Sequence, residues 1–139
     1  MAAGVLLDTH VLHWWWCSPA LLSQSVRRRL KNGDQEVVVS AISWLELCLA
    51  LEKAVPRTAQ LQSDVAELLR RFPESLADDG FRFLPLQISH VQRAARLRGP
   101  SDGLPGWINR VLVAQAQQEG LQLVSLDPAL EVLGEPLVW

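Results

Sequence analysis

The chain is short of cysteine. Cys17 and Cys48 are the only two thiols in 139 residues, too few for a disulfide framework. No Cys or His pair stands at a zinc-site spacing. Both thiols read as reduced core or boundary residues, which points to a reducing cytoplasm. Long apolar runs are also missing. None reaches the ~18 residues that a bilayer-spanning helix needs, so no membrane association is expected. The first apolar stretch has no basic residues before it, and a secretory leader is not expected. Nor is there an excess of positive charge: 13 Lys and Arg stand against 15 Asp and Glu, a net charge of −2. A protein that coats nucleic acid is usually basic. A nuclease is still allowed, because bound divalent cations reverse the field at an acidic site. Internal repeats and low-complexity tracts are absent. With 49% hydrophobic and 20% charged residues the composition is globular, and the length suits a single domain, residues 1–139, with one core.

What is present begins with Val5-Leu6-Leu7-Asp8-Thr9-His10. An apolar run leads directly into an acid. Such a run reads as a parallel strand buried on both faces. Asp8 then sits at the carboxyl end of the first strand, where open α/β sheets bind ligands. A carboxylate there is costly to desolvate unless a cation or basic group meets it. Glu46, after Val37-Val38-Val39-Ser40, and Asp127, after Leu121 to Leu126, follow the same logic. Three strand-like runs, each delivering one acid, make a cation site. A divalent ion such as Mg²⁺ prefers oxygen ligands and takes one or two direct carboxylates. Each acid also has a plainer reading as a helix N-cap or first-turn acid favoured by the helix dipole. That reading is strongest for Asp127, which precedes Pro128.

Taken in order, residues 4–8 are strand one, and His10 to Trp16 a short helix or turn. A second helix starts at Pro19 with Ser18 as N-cap and runs to about Lys31. Asn32-Gly33-Asp34 is a turn. Val37 to Val39 is strand two, followed by a helix over about Ala41 to Lys53 capped by Ser40 or Ser43. A linker ends at Pro56. Gln60 to Phe72 is amphipathic, with Leu61, Val65, Leu68, Leu69 and Phe72 on one face. Phe81 to Leu86 is strand three and Ser89 to Leu97 a short helix. Gly99 to Gly106 is a loop, with two prolines and three glycines. An apolar helix over Trp107 to Gln118 is stopped by Gly120. Leu121 to Leu126 is strand four, Asp127-Pro128 opens a short helix, and Leu137-Val138 is a final strand. The alternation predicts a three-layer α/β/α sandwich around a mainly parallel sheet of four to five strands.

Several residues invite functional readings and have plainer ones. Trp14-Trp15-Trp16 offers platforms for stacking bases, but three consecutive helical positions serve first as packing, with at least one Trp exposed and free for a protein interface. Arg27-Arg28-Arg29 suits phosphate contacts and equally a solvated helix face. His10 and His13 are near Asp8, yet an i, i+3 spacing is weak as a metal pair. His90 reads as an ordinary helical residue.

Four segments resemble the PIN domain family, in particular its VapC-type toxin branch. They are Leu6-Leu7-Asp8-Thr9-His10-Val11-Leu12, Ser40-Ala41-Ile42-Ser43-Trp44-Leu45-Glu46, Arg110-Val111-Leu112-Val113-Ala114-Gln115-Ala116 and Leu123-Val124-Ser125-Leu126-Asp127. They occur in the family's order over nearly the whole chain. The resemblance implies a PIN-like α/β fold and a metal-dependent endoribonuclease, the toxin of a toxin–antitoxin pair. It implies one or two Mg²⁺ or Mn²⁺ ions, an RNA substrate, a cognate antitoxin and a homodimer. Carried over, Asp8, Glu46 and Asp127 are the catalytic, metal-binding acids. Thr9 and Ser125 orient them, and Arg110 meets a phosphate or an acid.

The chain departs from the family at its third acid. Asn109 stands before Arg110 where the motif has Asp. An amide oxygen still coordinates a cation but brings no charge. Asp102 replaces the missing acid if its loop folds back; a turn-forming Asp before Gly103 is the plainer reading. Ala50, four residues after Glu46, stands where the family frequently has Lys. The departure at Asn109 supports a second function, a catalytically weakened domain that binds RNA or protein. A phosphatase of the haloacid dehalogenase type also starts from a strand-end Asp, but it needs an acid two residues later, where this chain has His10.

Overall fold

The first strand is apolar at every position because both of its neighbours and both of its faces are protein. In the computed structural model, which describes residues 4–54, 59–97 and 103–139, β1 (Val5–Leu7) lies at the centre of a five-stranded parallel sheet of order β3-β2-β1-β4-β5. Its partners are β2 (Val37–Ser40) and β4 (Gln122–Val124), with Leu7 level with Val39 on one side and with Val124 on the other. β3 (Arg82–Leu84) and β5 (Leu137–Val138) are the edges. The chain builds outward from β1 to β3, then returns to β4 on the opposite side. The topological switch point therefore falls between β1 and β4, where an open α/β sheet forms its ligand crevice.

Strand residues alternate between two cores, as a pleated sheet requires. Val5, Leu7, Val37, Val39 and Val124 face one layer. It is built from α1 (Thr9–Cys17), α2 (Gln24–Lys31) and α4 (Ala59–Asp79), which contribute Val11, Leu12, Val26, Leu30, Phe72 and Leu76. Leu6, Val38 and Leu123 face the other, built from α6 (Gly103–Glu119) and α7 (Pro128–Val132) through Ile108, Leu112, Val113, Ala116 and Leu130. The remaining helices are α3 (Ala41–Ala54) and α5 (Ile88–Arg96). This is the three-layer α/β/α arrangement expected from the sequence. Among the described residues no helix is long and apolar enough to cross a membrane. Cys17 is exposed and Cys48 half-buried, both as thiols.

Several element boundaries differ from expectation, each for a local reason. Ser18 does not start the second helix. Pro19–Leu21 forms a single 3₁₀ turn, and α2 starts later with Ser23 as its cap, the Ser23 Oγ accepting the Val26 N–H at 3.1 Å. The cap that satisfies an otherwise unpaired N–H wins over the proline signal. Ser23→Ala should therefore cost about 1 kcal/mol of stability, read as a shift in the urea midpoint, and Ser18→Ala much less. Equal losses would move the cap back to Ser18. Of the two serines considered for α3, Ser40 bonds the Ile42 N–H at 3.0 Å, whereas the buried Ser43 hydroxyl donates to Leu7 O at 3.4 Å.

The amphipathic helix α4 does not end at Phe72. It continues through Pro73 to Asp79. An interior proline removes one helical hydrogen bond. The loss is offset by burial of Phe72 and Leu76 and by Asp79, whose Oδ2 accepts the indole N–H groups of Trp15 (3.1 Å) and Trp16 (2.9 Å). The side chains of Leu61, Val65, Leu68 and Leu69, and the linker around Pro56, lie outside the described residues. The loop expected up to Gly106 is shorter, because α6 already starts at Gly103. Pro105 falls in its first turn, where the N–H it lacks has no helical partner anyway. Gly120 ends α6 as expected, with φ +66°. β3 is shorter than expected and stops before Pro85, which has no N–H for the ladder.

Candidate functional site

The site is assembled at the carboxyl ends of β1 and β4. Asp8 follows β1 directly and caps α1. Its backbone N–H donates to Val124 O at 3.0 Å, which ties it to β4. Its carboxylate is 3% exposed and fully engaged on its protein side. Oδ1 accepts the Thr9 N–H at 2.7 Å, and Oδ2 accepts the Ser125 hydroxyl at 2.7 Å. His10 Nδ1 lies 3.3 Å from Oδ2. Burial pushes the Asp8 carboxyl upward. The hydrogen bonds from His10 and Ser125, the electrostatic attraction of the His10 ring and the Thr9 N–H outweigh it and hold the group below its ordinary range.

Asp127 is both things the sequence allowed. Its Oδ1 accepts the Ala129 N–H at 2.9 Å as the N-cap of α7, and it lines the same cleft as Asp8. Ser125 joins the two acids: its Oγ donates to Asp8 and accepts the Asp127 N–H at 3.0 Å. Glu46 arrives from the second turn of α3 and is half-buried. Its carboxyl is pushed up, first by burial and then by the charges of Asp8 and Asp127; the Thr9 hydroxyl and His10 oppose the shift only in part. An acid raised by two neighbouring acids marks a place where negative charge is crowded and uncompensated.

Asn109, from α6, completes the lining of this cleft, which encloses about 380 Å³. His10 and His13 are on its walls, and so is Ala50, where a lysine would have introduced a cation. The Thr9 hydroxyl is buried without a completed hydrogen bond, facing Glu46. Asp8, Glu46, Asn109 and Asp127 are therefore brought together from four separate elements. Asp102 lies outside the described residues. Arg110 is not on this cleft. It lines a second groove with Val91 and Trp107, and its Nη1 donates to Leu97 O at 2.8 Å.

The donor set fits a hard divalent cation. It offers carboxylate and amide oxygens, the ligands that Mg²⁺ and Mn²⁺ prefer. The unpartnered Thr9 hydroxyl offers a further hydrogen bond to an ion's water. Among the described residues no three His, Cys, Asp or Glu side chains form a complete ligand group. The cleft thus suits an ion bound through one or two carboxylates and water, rather than a closed cage.

Two features were not foreseen from the sequence. The tryptophan run was expected to leave at least one ring exposed, yet Trp14, Trp15 and Trp16 are all half-buried. Trp15 packs on Phe81, Trp16 on Phe72 and Trp14 on Trp139. The exposed indole is Trp107, at 63%. His90 is not an ordinary surface position either. It is fully buried, its Nδ1 accepting the Gln87 N–H at 3.1 Å and its Nε2 lying 3.0 Å from Glu119. Gln115 reaches the same ring and accepts the Ser40 hydroxyl, so a polar chain ties α5 and α6 to β2. Neither arrangement follows from sequence spacing, because both depend on distant partners. Arg28 stays on an exposed helix face, and Arg29 reaches Gln122 at 3.4 Å.

A sequence model of the PIN domain matches residues 5–136. The chain is 32% identical over 126 residues to Ribonuclease VapC22 of Mycobacterium tuberculosis, covering 91% of this chain and 88% of that protein. Among solved structures it resembles FitAcB from Neisseria gonorrhoeae, with a TM-score of 0.69 at 21% identity over 97% of this chain and 96% of that one. It also resembles VapBC2 from Rickettsia felis bound to a promoter DNA fragment, with a TM-score of 0.64 at 17% identity over 97% and 98%. At these identities the structural likeness shows the fold. The family match over nearly the whole chain, with the VapC22 relationship, establishes that this chain belongs to the PIN domain family, in its VapC-type branch.

Proposed function

We propose that the chain is a divalent-cation-dependent endoribonuclease and the toxin of a toxin–antitoxin pair. The observation that carries this reading is the crowding of Asp8, Glu46 and Asp127 around one cleft, with Glu46 pushed up by burial and then by the charges of the other two. The likeness to a protein named Ribonuclease VapC22 supports RNA as the substrate. The likeness to structures titled as VapBC2 and as a toxin–antitoxin complex from Klebsiella pneumoniae supports an antitoxin partner. A homodimer in a reducing cytoplasm completes the reading, and light scattering of the purified protein tests the dimer.

One or two of Asp8, Glu46 and Asp127 would hold the cation directly, with the remaining acid and the neutral Asn109 oxygen reaching it through its waters. Bound Mg²⁺ or Mn²⁺ supplies neutralisation of the scissile phosphate and acidification of a water. Ser125 and the Thr9 N–H each hold one oxygen of the Asp8 carboxylate. Glu46, raised by burial and by the charges of Asp8 and Asp127, is the acid whose ionised form a bound cation would favour most. Cleavage of a mixed RNA pool with Mn²⁺, with Mg²⁺ and with EDTA tests the reading. Cleavage in either metal and none in EDTA is expected. A folded, partner-free protein that binds RNA without cutting it supports the second reading, a binding module, which Asn109 in the cleft favours.

The raised Glu46 carboxyl also fixes a pH dependence. Its folded pKa lies above the unfolded one, so without a cation the fold loses stability as pH rises through that interval. A bound cation favours the ionised form and reverses the loss. The Mn²⁺-induced rise in Tm should be full at neutral pH. It should fade on acidification at a pH above the range of an ordinary Glu. Thermal melts with and without Mn²⁺ between about pH 4 and 8 measure it. A Mn²⁺ effect that survives until an ordinary Glu would titrate removes Glu46 from the cation site.

A further inference from the structure

His10 lies at the cleft with both ring nitrogens already occupied by protein. Nε2 accepts the Leu126 N–H at 3.3 Å. An accepting Nε2 carries no proton, so the proton stands on Nδ1, which lies 3.3 Å from Asp8 Oδ2 and donates to it. The ring therefore joins Asp8, after β1, to Leu126, the residue before Asp127. It spans the switch point from which both acids project. Its tilt is set from two further directions. Trp14 meets it edge-on with centroids 4.9 Å apart, and Trp139 lies 6.5 Å away. Those two indoles pack on each other at 6.0 Å and 73°. Trp139 directly follows β5, so the ring is held by residues at the ends of β1, β4 and β5.

We propose that His10 is a positioning residue for Asp8, fixed in the Nδ1–H form by the Leu126 N–H and in orientation by Trp14 and Trp139. The proposal rests on the reading of the cleft as a cation site. A carboxylate held only by Ser125 and the Thr9 N–H still rocks about its Cβ–Cγ bond. A second donor at Oδ2 beside Ser125 restricts that motion and leaves the cleft-facing lone pairs aimed at one point. A ligand that no longer has to be ordered binds its ion more tightly. His10 does this without itself touching the ion.

Two measurements test it. The first needs no metal: side-chain ¹⁵N NMR of the wild-type protein at neutral pH should find His10 as the Nδ1–H tautomer. The Nε2–H tautomer overturns the proposal. The second is Mn²⁺ affinity, read by EPR of the free ion, for wild type, His10→Ala, His10→Asn and His10→Gln. His10→Ala should bind about 10–100-fold more weakly, the usual effect of losing a group that orients a ligand. His10→Asn puts an amide nitrogen near the place of Nδ1 and should recover most of the loss. His10→Gln puts its amide near the place of Nε2 and should not. Equal affinity across the series, or equal loss in all three with native circular dichroism, overturns the proposal. Wild-type protein that takes up no Mn²⁺ sinks the cation reading instead, and the tautomer then decides whether the brace exists.

Discussion

Asp8→Asn should lower metal-dependent RNA cleavage by about 10³-fold, equivalent to roughly 4 kcal/mol of transition-state stabilisation. The substitution keeps the volume of the side chain, so the core around it has no reason to collapse. It removes a carboxylate that is almost wholly out of water, in a residue 3% exposed, and that meets Thr9, Ser125 and His10. An amide nitrogen placed toward His10 Nδ1–H sets donor against donor. An amide oxygen placed there turns the nitrogen toward the Thr9 N–H. Either way one hydrogen bond is lost in a buried setting. The charge that attracts the cation is lost as well. Glu46 should also become more acidic, since Asp8 is one of the charges that raise it. The variant should be less stable than wild type at neutral pH, and the difference should shrink on the acid side. Asp8 titrates below its unfolded range, so it stabilises the fold above the unfolded pKa and ceases to do so as pH falls through the folded one. The variant should lack this decline. Cleavage within threefold of wild type would remove Asp8 from the chemistry.

Asn109→Asp should tighten Mn²⁺ binding about 10–100-fold. The residue lines the cleft with three acids already present. Two unit charges ~4 Å apart attract by about 4 kcal/mol at an effective dielectric of ~20, and a divalent ion doubles the attraction. Mutual repulsion among four carboxylates takes back a large part, leaving roughly 1.4–2.8 kcal/mol. The same repulsion acts when no ion is bound, so in EDTA the variant should melt lower than wild type and its Glu46 should titrate still higher. In Mn²⁺ the order of melting temperatures should reverse. Titration calorimetry and melts in both conditions measure the pair of effects. Unchanged Mn²⁺ affinity would place position 109 outside the cation's reach and leave Asn109 as a feature of the wall.

Much of this was legible in the sequence, and the physical reason is burial. β1 and β2 are covered on both faces, so they appear as apolar runs, as does β4 apart from its exposed Gln122, and the acids that follow the strands stand out. The alternation of runs and helical patterns fixed the layer order for the same reason. What could not be read depends on partners far along the chain. Ser18 stands directly before Pro19 and so looks like the cap, and only the fold shows that Ser23 meets the Val26 N–H. The apolar face of α4 ends at Phe72 on paper, whereas the indoles that hold the helix as far as Asp79 come from more than 60 residues away. His10 reads as an unconvincing ligand because the Leu126 N–H that occupies its second nitrogen comes from the other side of the sheet. The motif acids and Asn109 nevertheless converge on one cleft, while Arg110, one position after Asn109 on α6, turns to a different groove.

The bond from Ser125 to Asp8 joins positions 117 residues apart, and the pairing of β1 with β4 is comparably non-local. This has a consequence for how the protein is made. β1, β2 and β3 can associate as soon as they leave the ribosome, but the second edge of β1 stays open until β4 has emerged as well. Until then Asp8 lacks Ser125, His10 lacks Leu126, and Asp127 is missing from the cleft. The cleft therefore assembles in one late step rather than acid by acid. A prematurely terminated product ending before β4 should be inert, with an unpaired central strand that marks it for degradation.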